Sequence, residues 1–325
     1  MRHFLFLSIG LLHFIQPAQS VITHPSYGDE WAEKQGNAGR FQAVGRVIVD
    51  KEVTGTIQLI EIPGREDLNG RIALTARHVA ASLKDDSFFC WDFDDPFSAK
   101  PEKVFFAKTP LADIALILLE KKVPIAPEFL YKLPLQNNKA CKGDLVLAGY
   151  GLSGRSDVDL YFEDGHKRAL RGNLEFFKEA LGKSDGTSWA SYFRYDLSTF
   201  PTILTGLPHA GDSGAIYGIQ QEDGTVVAEW MHLQSRLPRR VTTDKTLINE
   251  LKLKSSSADD KIDFIKESYK NLPLEQKLKD NPFVEDEELA QEIGNPIKNR
   301  SLTLISIRYA SSWIMKKIEF LGNSL

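Results

Sequence analysis

The chain has 325 residues, 42% of them hydrophobic, and a formal net charge of -4. A chain of this length buries a substantial core and has room for two compact units, or for one unit with a long insertion. So small a net charge sets up no field that would gather nucleic acid or a phospholipid surface, and neither is expected as a partner.

Arg2 and His3 precede the apolar run FLFLSIGLLHFI and then PAQS, in which Ala18 and Ser20 form a small-x-small ending. This pattern predicts an export signal over residues 1–20, cut after Ser20, and a mature chain that is secreted or periplasmic. The run is short for a bilayer span; a buried N-terminal helix or an uncleaved anchor is the alternative. No later segment has the uninterrupted apolar length of a membrane helix, so no span is expected in the mature chain.

From about residue 41 to 235 the sequence is a series of short β-type runs, among them FQAVGRVIV, TGTIQLIEI, RIALTA, KVFFA, DIALILL, DLVLAGY and TVVAEWMHL. Clusters such as PGREDLNG and QQEDG bound them and read as turns. The expected class is all-β, because strands do not alternate with helices as a doubly wound sheet or an α/β-hydrolase requires. The proline-bearing stretch Pro124 to Pro134 reads as a connection between halves, dividing the chain into 21–130 and 131–236.

Residues 237–300 differ in kind. Ile262, Ile265, Tyr269 and Leu272 recur at helical intervals, and residues 259–299 hold eleven Asp or Glu against six Lys. The segment reads as a helical charged insertion, serving either as a solvated face or as a docking surface for a protein partner. Residues 301–325 then offer a last strand, SLTLISI, and a terminal helix. The two cysteines, Cys90 and Cys141, allow one disulfide in an oxidising compartment; otherwise Cys90, beside Phe88, Phe89 and Trp91, is a buried thiol. No Cys/His spacing here suits a metal.

The segment LPHAGDSGAIY places Ser213 among Gly211, Asp212 and Gly214, a composition that suits either a surface turn or a loop presenting backbone N–H groups to an oxyanion. A serine nucleophile needs a histidine base, and the imidazolium that forms needs an oriented carboxylate. Of seven histidines, His78 directly follows an apolar strand in LTARHVA, where it is either a base or a structural residue at the strand end. Asp113, in PLADIALILL, borders apolar residues as a triad carboxylate must, although an aspartate opening a strand also suits a turn. Asp92, Asp94 and Asp95 in WDFDDP are clustered like charges, expected to be solvated.

Taken in chain order, LTARHVA, ADIALILL and GDSGA resemble the chymotrypsin-like (trypsin-like) serine peptidase family, in the form of its bacterial secreted members. TGTIQLI is similar to the family's strand before the histidine, LAGYG to its Gly-aromatic-Gly segment, and SLTLISIRYASSWIMKKI to its final strand and terminal helix. The resemblance covers about residues 41–235 and 301–320. It implies two six-stranded antiparallel β-barrels, with His78, Asp113 and Ser213 meeting in the cleft between them. It also implies an oxyanion hole from the Gly211 and Ser213 N–H groups, a polypeptide substrate, and chemistry that needs no metal or organic cofactor. Asp212 is implied as the acceptor of a freed N-terminal ammonium. Cleavage after Ser20 would supply that group from Val21; a later cut after Arg40 is the alternative.

The sequence departs from the family at several points. Ala215 and Ile216 stand for a glycine and a proline, Val79 for a cysteine, and Arg77 puts a cation beside the base. Leu207, six residues before Ser213, replaces the aspartate that attracts Arg or Lys. Leu207, His209 and His232 are the candidate pocket residues, for a neutral or apolar P1 side chain or, through the histidines, an acidic one. A non-enzymatic binding protein on the same fold, or a processing peptidase gated by the insertion, are the rival readings.

Overall fold

A computed structural model describes residues 22–23, 29–107, 113–134, 143–155, 160–162, 164–172, 174, 192–196, 206–236, 242–252 and 301–322. The protein is mostly β, as expected, with its larger sheet curled into a half-barrel and a helix near the C-terminus. Among the described residues the strands form one fourteen-stranded and one four-stranded sheet.

The first part of the chain is antiparallel. Val44–Val49 pairs with Glu52–Glu61 and with Phe88–Trp91, while Ile72–Thr75 lies between Glu52–Glu61 and Ala115–Leu119. Ile72–Thr75 and Ala115–Leu119 are buried along their whole lengths. That burial explains why IAL and ALILL are unbroken apolar runs instead of alternating ones. Each fully buried Leu or Ile contributes roughly 1.5–3 kcal/mol through removal from water.

The second part is also largely antiparallel. Asp144–Gly149 lies between Arg168–Gly172 and Ile216–Gln220; the latter pairs with Val226–Arg236, which in turn pairs with Ser301–Ser306. The proline-rich connection is not a bare linker. Its two-residue strand Tyr131–Lys132 pairs in parallel with Ile60–Glu61 on one side and with Val227 on the other, making the sheet continuous and mixed. Buried polar contacts reinforce this junction: Lys167 Nζ donates to the Phe41 (3.0 Å) and Val44 (3.4 Å) carbonyls. Burial lowers the Lys167 pKa to about 8.

The helix Ile307–Gly322 follows Ser301–Ser306 directly and buries Ala310, Ile314, Ile318 and Leu321, the three- and four-residue spacing of one helical face. Of the 237–300 segment, the helix Lys245–Lys252 is described, and Lys252 Nζ pairs with Asp164 at 2.5 Å. Ile262, Ile265, Tyr269 and Leu272 lie outside the described residues, as does Cys141. Among the described residues Cys90 is a free, buried thiol. Asp92 departs from the expectation of a solvated cluster. It is 2.9 Å from Arg46 and only 29% exposed, because the buried end of Arg46 needs a counter-charge, whereas Asp94 and Asp95 are exposed.

No described helix is long and apolar enough to cross a membrane.

Candidate active site

Strand register brings His78 and Asp113 together. Thr75 pairs with Ala115 at the end of the antiparallel ladder, so Asp113, two residues before Ala115, comes opposite the residues that follow Thr75. Those residues form the short helix Arg77–Ala81, whose N-cap residue, Ala76, makes no side-chain cap. The Asp113 carboxylate supplies the missing acceptor: Oδ1 takes the His78 N–H at 2.9 Å, and Oδ2 lies 2.7 Å from His78 Nδ1. One carboxylate thus fixes both the backbone and the ring of His78. Burial raises the Asp113 pKa, but the His78 ring and the His78 and Arg77 N–H groups outweigh it and hold the carboxyl below its usual value. The imidazole itself is about half exposed.

The Arg77 side chain is anchored at Phe106 and Ala107. Its Nη1 donates to the Ala107 carbonyl at 2.8 Å, and its guanidinium lies 5.5 Å from the Phe106 ring centroid.

Ser213 sits on a loop clamped to the first part of the chain. The Ser213 carbonyl accepts from Thr56 N–H at 2.9 Å, and the buried Gln58 amide, assigned so that its nitrogen faces the Gly214 carbonyl and its oxygen the Ile216 N–H, completes the clamp at 2.8 and 3.3 Å. Gly214 has φ +91°, and a Cβ there would stand 2.4 Å from the Thr56 carbonyl oxygen and 2.9 Å from Ala76 N. Only glycine fits a backbone that is both left-handed and in contact with a neighbouring strand. This contact seats the serine loop beside the residues leading into His78. Gly211 also has positive φ, +90°. Among the described residues neither the Gly211 nor the Ser213 N–H has an acceptor, while the Asp212 and Ala215 N–H groups are bonded to His209 and Asp212 carbonyls at 3.0 and 2.8 Å. Two unpaired N–H groups flanking a serine are what a developing oxyanion requires.

The Ser213 hydroxyl donates to the Leu233 carbonyl at 3.0 Å. No hydrogen bond joins it to His78 in this conformation.

Asp212 is fully buried: Gly151 N–H donates to Oδ1 at 2.8 Å and His209 N–H to Oδ2 at 2.9 Å. The glycines flanking Tyr150 leave it room, since a Cβ at Gly149 or Gly151 would lie 2.2 or 2.5 Å from a carboxylate oxygen. Leu207 belongs to the strand Gly206–Leu207, where it pairs with Ile22. His209 is buried and tilted against Tyr161 with centroids 4.6 Å apart. Its Nδ1 accepts the Ala210 N–H at 2.6 Å. His232 is fully buried, and burial, followed by the charges of His209 and His78, pushes its pKa down to about 3. His232 is therefore neutral at pH 7.

The site also contains residues that sequence patterning does not mark. Thr56, Gln58 and Thr75 are fully buried polar residues in strands. Their only local signal is polarity within TGTIQLI and IALT, runs otherwise apolar enough for a core. Comparison with protein-family models and with curated proteins finds no match to this chain.

Proposed function

We propose that the protein is a secreted serine endopeptidase on two six-stranded antiparallel β-barrels, hydrolysing peptide bonds through an acyl-enzyme. The observation that carries this reading is the single Asp113 carboxylate bonded to both the N–H and Nδ1 of His78. That arrangement holds the ring in the tautomer with Nε2 unprotonated, ready to take a proton. Ser213 Oγ, rotated from the Leu233 carbonyl towards Nε2, attacks the scissile carbonyl while His78 accepts its proton. The Gly211 and Ser213 N–H groups stabilise the oxyanion, His78 returns the proton to the leaving amine, and water cleaves the ester by the same route. A serine bonded elsewhere before substrate arrives is compatible with this cycle, since catalytic hydrogen bonds often tighten only in the complex.

Neutral His232, with Leu207 in place of an aspartate, favours an uncharged P1 side chain over a basic or acidic one. Digestion of a mixed peptide library tests activity and preference together: cleavage after neutral residues, lost in Ser213→Ala, is expected, and dominant cleavage after Arg or Glu contradicts the preference. We further propose that signal removal after Ser20 frees Val21 to pair with Asp212. Support comes from the pairing of Ile22 with Leu207, two residues from His209, whose N–H binds Asp212. N-terminal sequencing of the active form tests this; a start elsewhere removes it.

The bond from Ser213 Oγ to Leu233 favours a second reading, a catalytically silent or partner-gated binding protein on the same fold. A purified, folded chain that cleaves no peptide, before or after limited proteolysis, selects it.

A further inference from the structure

We propose that Thr56 is a positioning residue for the oxyanion hole, acting through its side-chain hydroxyl; this rests on the peptidase reading above. Thr56 is fully buried in the strand Glu52–Glu61, and each of its polar groups is engaged. Its N–H holds the Ser213 carbonyl at 2.9 Å, and its own carbonyl accepts from Thr75 Oγ1 at 2.7 Å. Its Oγ1 donates to the Gly211 carbonyl at 3.0 Å and accepts the Tyr150 N–H at 3.3 Å. A single residue of the first half thus grips the nucleophile loop on both sides of Asp212.

The hydroxyl matters because of what it holds. Gly211 has no side chain to limit rotation and sits at φ +90°, so its two peptide planes keep their orientation only through their hydrogen bonds. The plane before it is fixed by Leu152 N–H on the Ala210 carbonyl at 2.8 Å. The plane after it is fixed on its carbonyl side by Thr56 Oγ1 and on its N–H side by the His209 carbonyl at 3.0 Å. Releasing the Gly211 carbonyl frees its ψ, so the Gly211–Asp212 peptide that joins the two donors can turn, and the Gly211 and Ser213 N–H groups then converge on the oxyanion position for only part of the time. The Tyr150 N–H, deprived of Oγ1, becomes a competing buried donor. Because the donors act on charge that develops in the transition state, the loss falls on kcat and leaves KM nearly unchanged.

The test uses the full chain with Thr56→Val, which keeps the shape and removes the hydroxyl, Thr56→Ala as a second hydroxyl-free variant, and Thr56→Ser, which retains it. Kinetics are measured on a peptide cleaved by the parent, along with inhibition by a peptide boronic acid and thermal unfolding. Removing one oxyanion donor costs about 10²–10³ in kcat, so partial misorientation is expected to cost about 10–100-fold. Thr56→Val and Thr56→Ala should show that loss with KM within about threefold, boronate affinity falling in parallel, and Thr56→Ser close to the parent. A folded Thr56→Val with unaltered kcat, or a folded Thr56→Ser as impaired as Thr56→Val, overturns the proposal. So does failure of both hydroxyl-free variants to fold, since the hydroxyl would then serve the fold as a whole. A parent that cleaves no peptide defeats instead the peptidase reading on which the proposal rests.

Discussion

Acidification should destabilise the protein through His232, the fully buried imidazole whose pKa lies near 3 in the folded chain. The unfolded value is about 6.5, so between those limits the unfolded chain binds a proton that the folded chain refuses, and stability rises with pH. His232 therefore contributes nothing unfavourable above pH 6.5, and its cost grows as pH falls towards 3. At pH 4.5, two units below the unfolded value, the loss relative to pH 7 is about 2.5 kcal/mol, at about 1.36 kcal/mol per unit. Urea unfolding followed by tryptophan fluorescence at pH 7.0 and 4.5, for the parent and His232→Gln, isolates this contribution as a difference of differences. The parent should lose about 2.5 kcal/mol more than the variant over that interval. Parallel losses, within about 0.5 kcal/mol, would refute the assignment of His232 as a buried neutral group.

Three further outcomes follow from the packing and the site. Gly214→Ala drives a Cβ to within 2.4 Å of the Thr56 carbonyl at a φ of +91° and should cost about 3 kcal/mol, measurable as a lowered urea midpoint with activity reduced in step. Asp164→Asn weakens the 2.7 and 2.8 Å bonds to Arg168, whose side chain is 0% exposed, and should cost about 3 kcal/mol at pH 7. Burial raises the Asp164 pKa, but Arg168 and Lys252 bring it down to about 2, so the Asn variant should match the parent only as pH falls towards that value. Asp113→Asn should leave the fold intact and lower kcat by about 10⁴, because the amide no longer enforces the productive His78 tautomer; an undiminished rate would remove Asp113 from the mechanism.

The parts of this architecture legible in the sequence are those written locally. IAL and ALILL read as strands because burial on both faces demands unbroken apolar runs, and GDSG reads as a special turn because Gly211 and Gly214 both hold positive φ. Ser213 stands out by its Gly and Asp neighbours, and His78 by its place at the end of an apolar strand. Features depending on which distant residues meet are not written that way. Thr56 in TGTIQLI looks like any strand threonine, and only the folded chain brings Gly211 and Tyr150 to its hydroxyl. Asp92 looks like one of three solvated carboxylates until the pairing of Val44–Val49 with Phe88–Trp91 delivers Arg46 beside it. Lys167 has no local mark of burial; carbonyls from another part of the chain receive it. The direction of the Ser213 hydroxyl is likewise a matter of side-chain rotation, on which residue order is silent.

Activation of Ser213 by His78 is read from the mass of the intact protein after exposure to a fluorophosphonate. One adduct per chain is expected on Ser213 in the protein beginning at Val21, and none in Ser213→Ala or His78→Ala variants of unchanged fold. A folded protein beginning at Val21 that acquires no adduct, or an adduct that persists in Ser213→Ala, would contradict it.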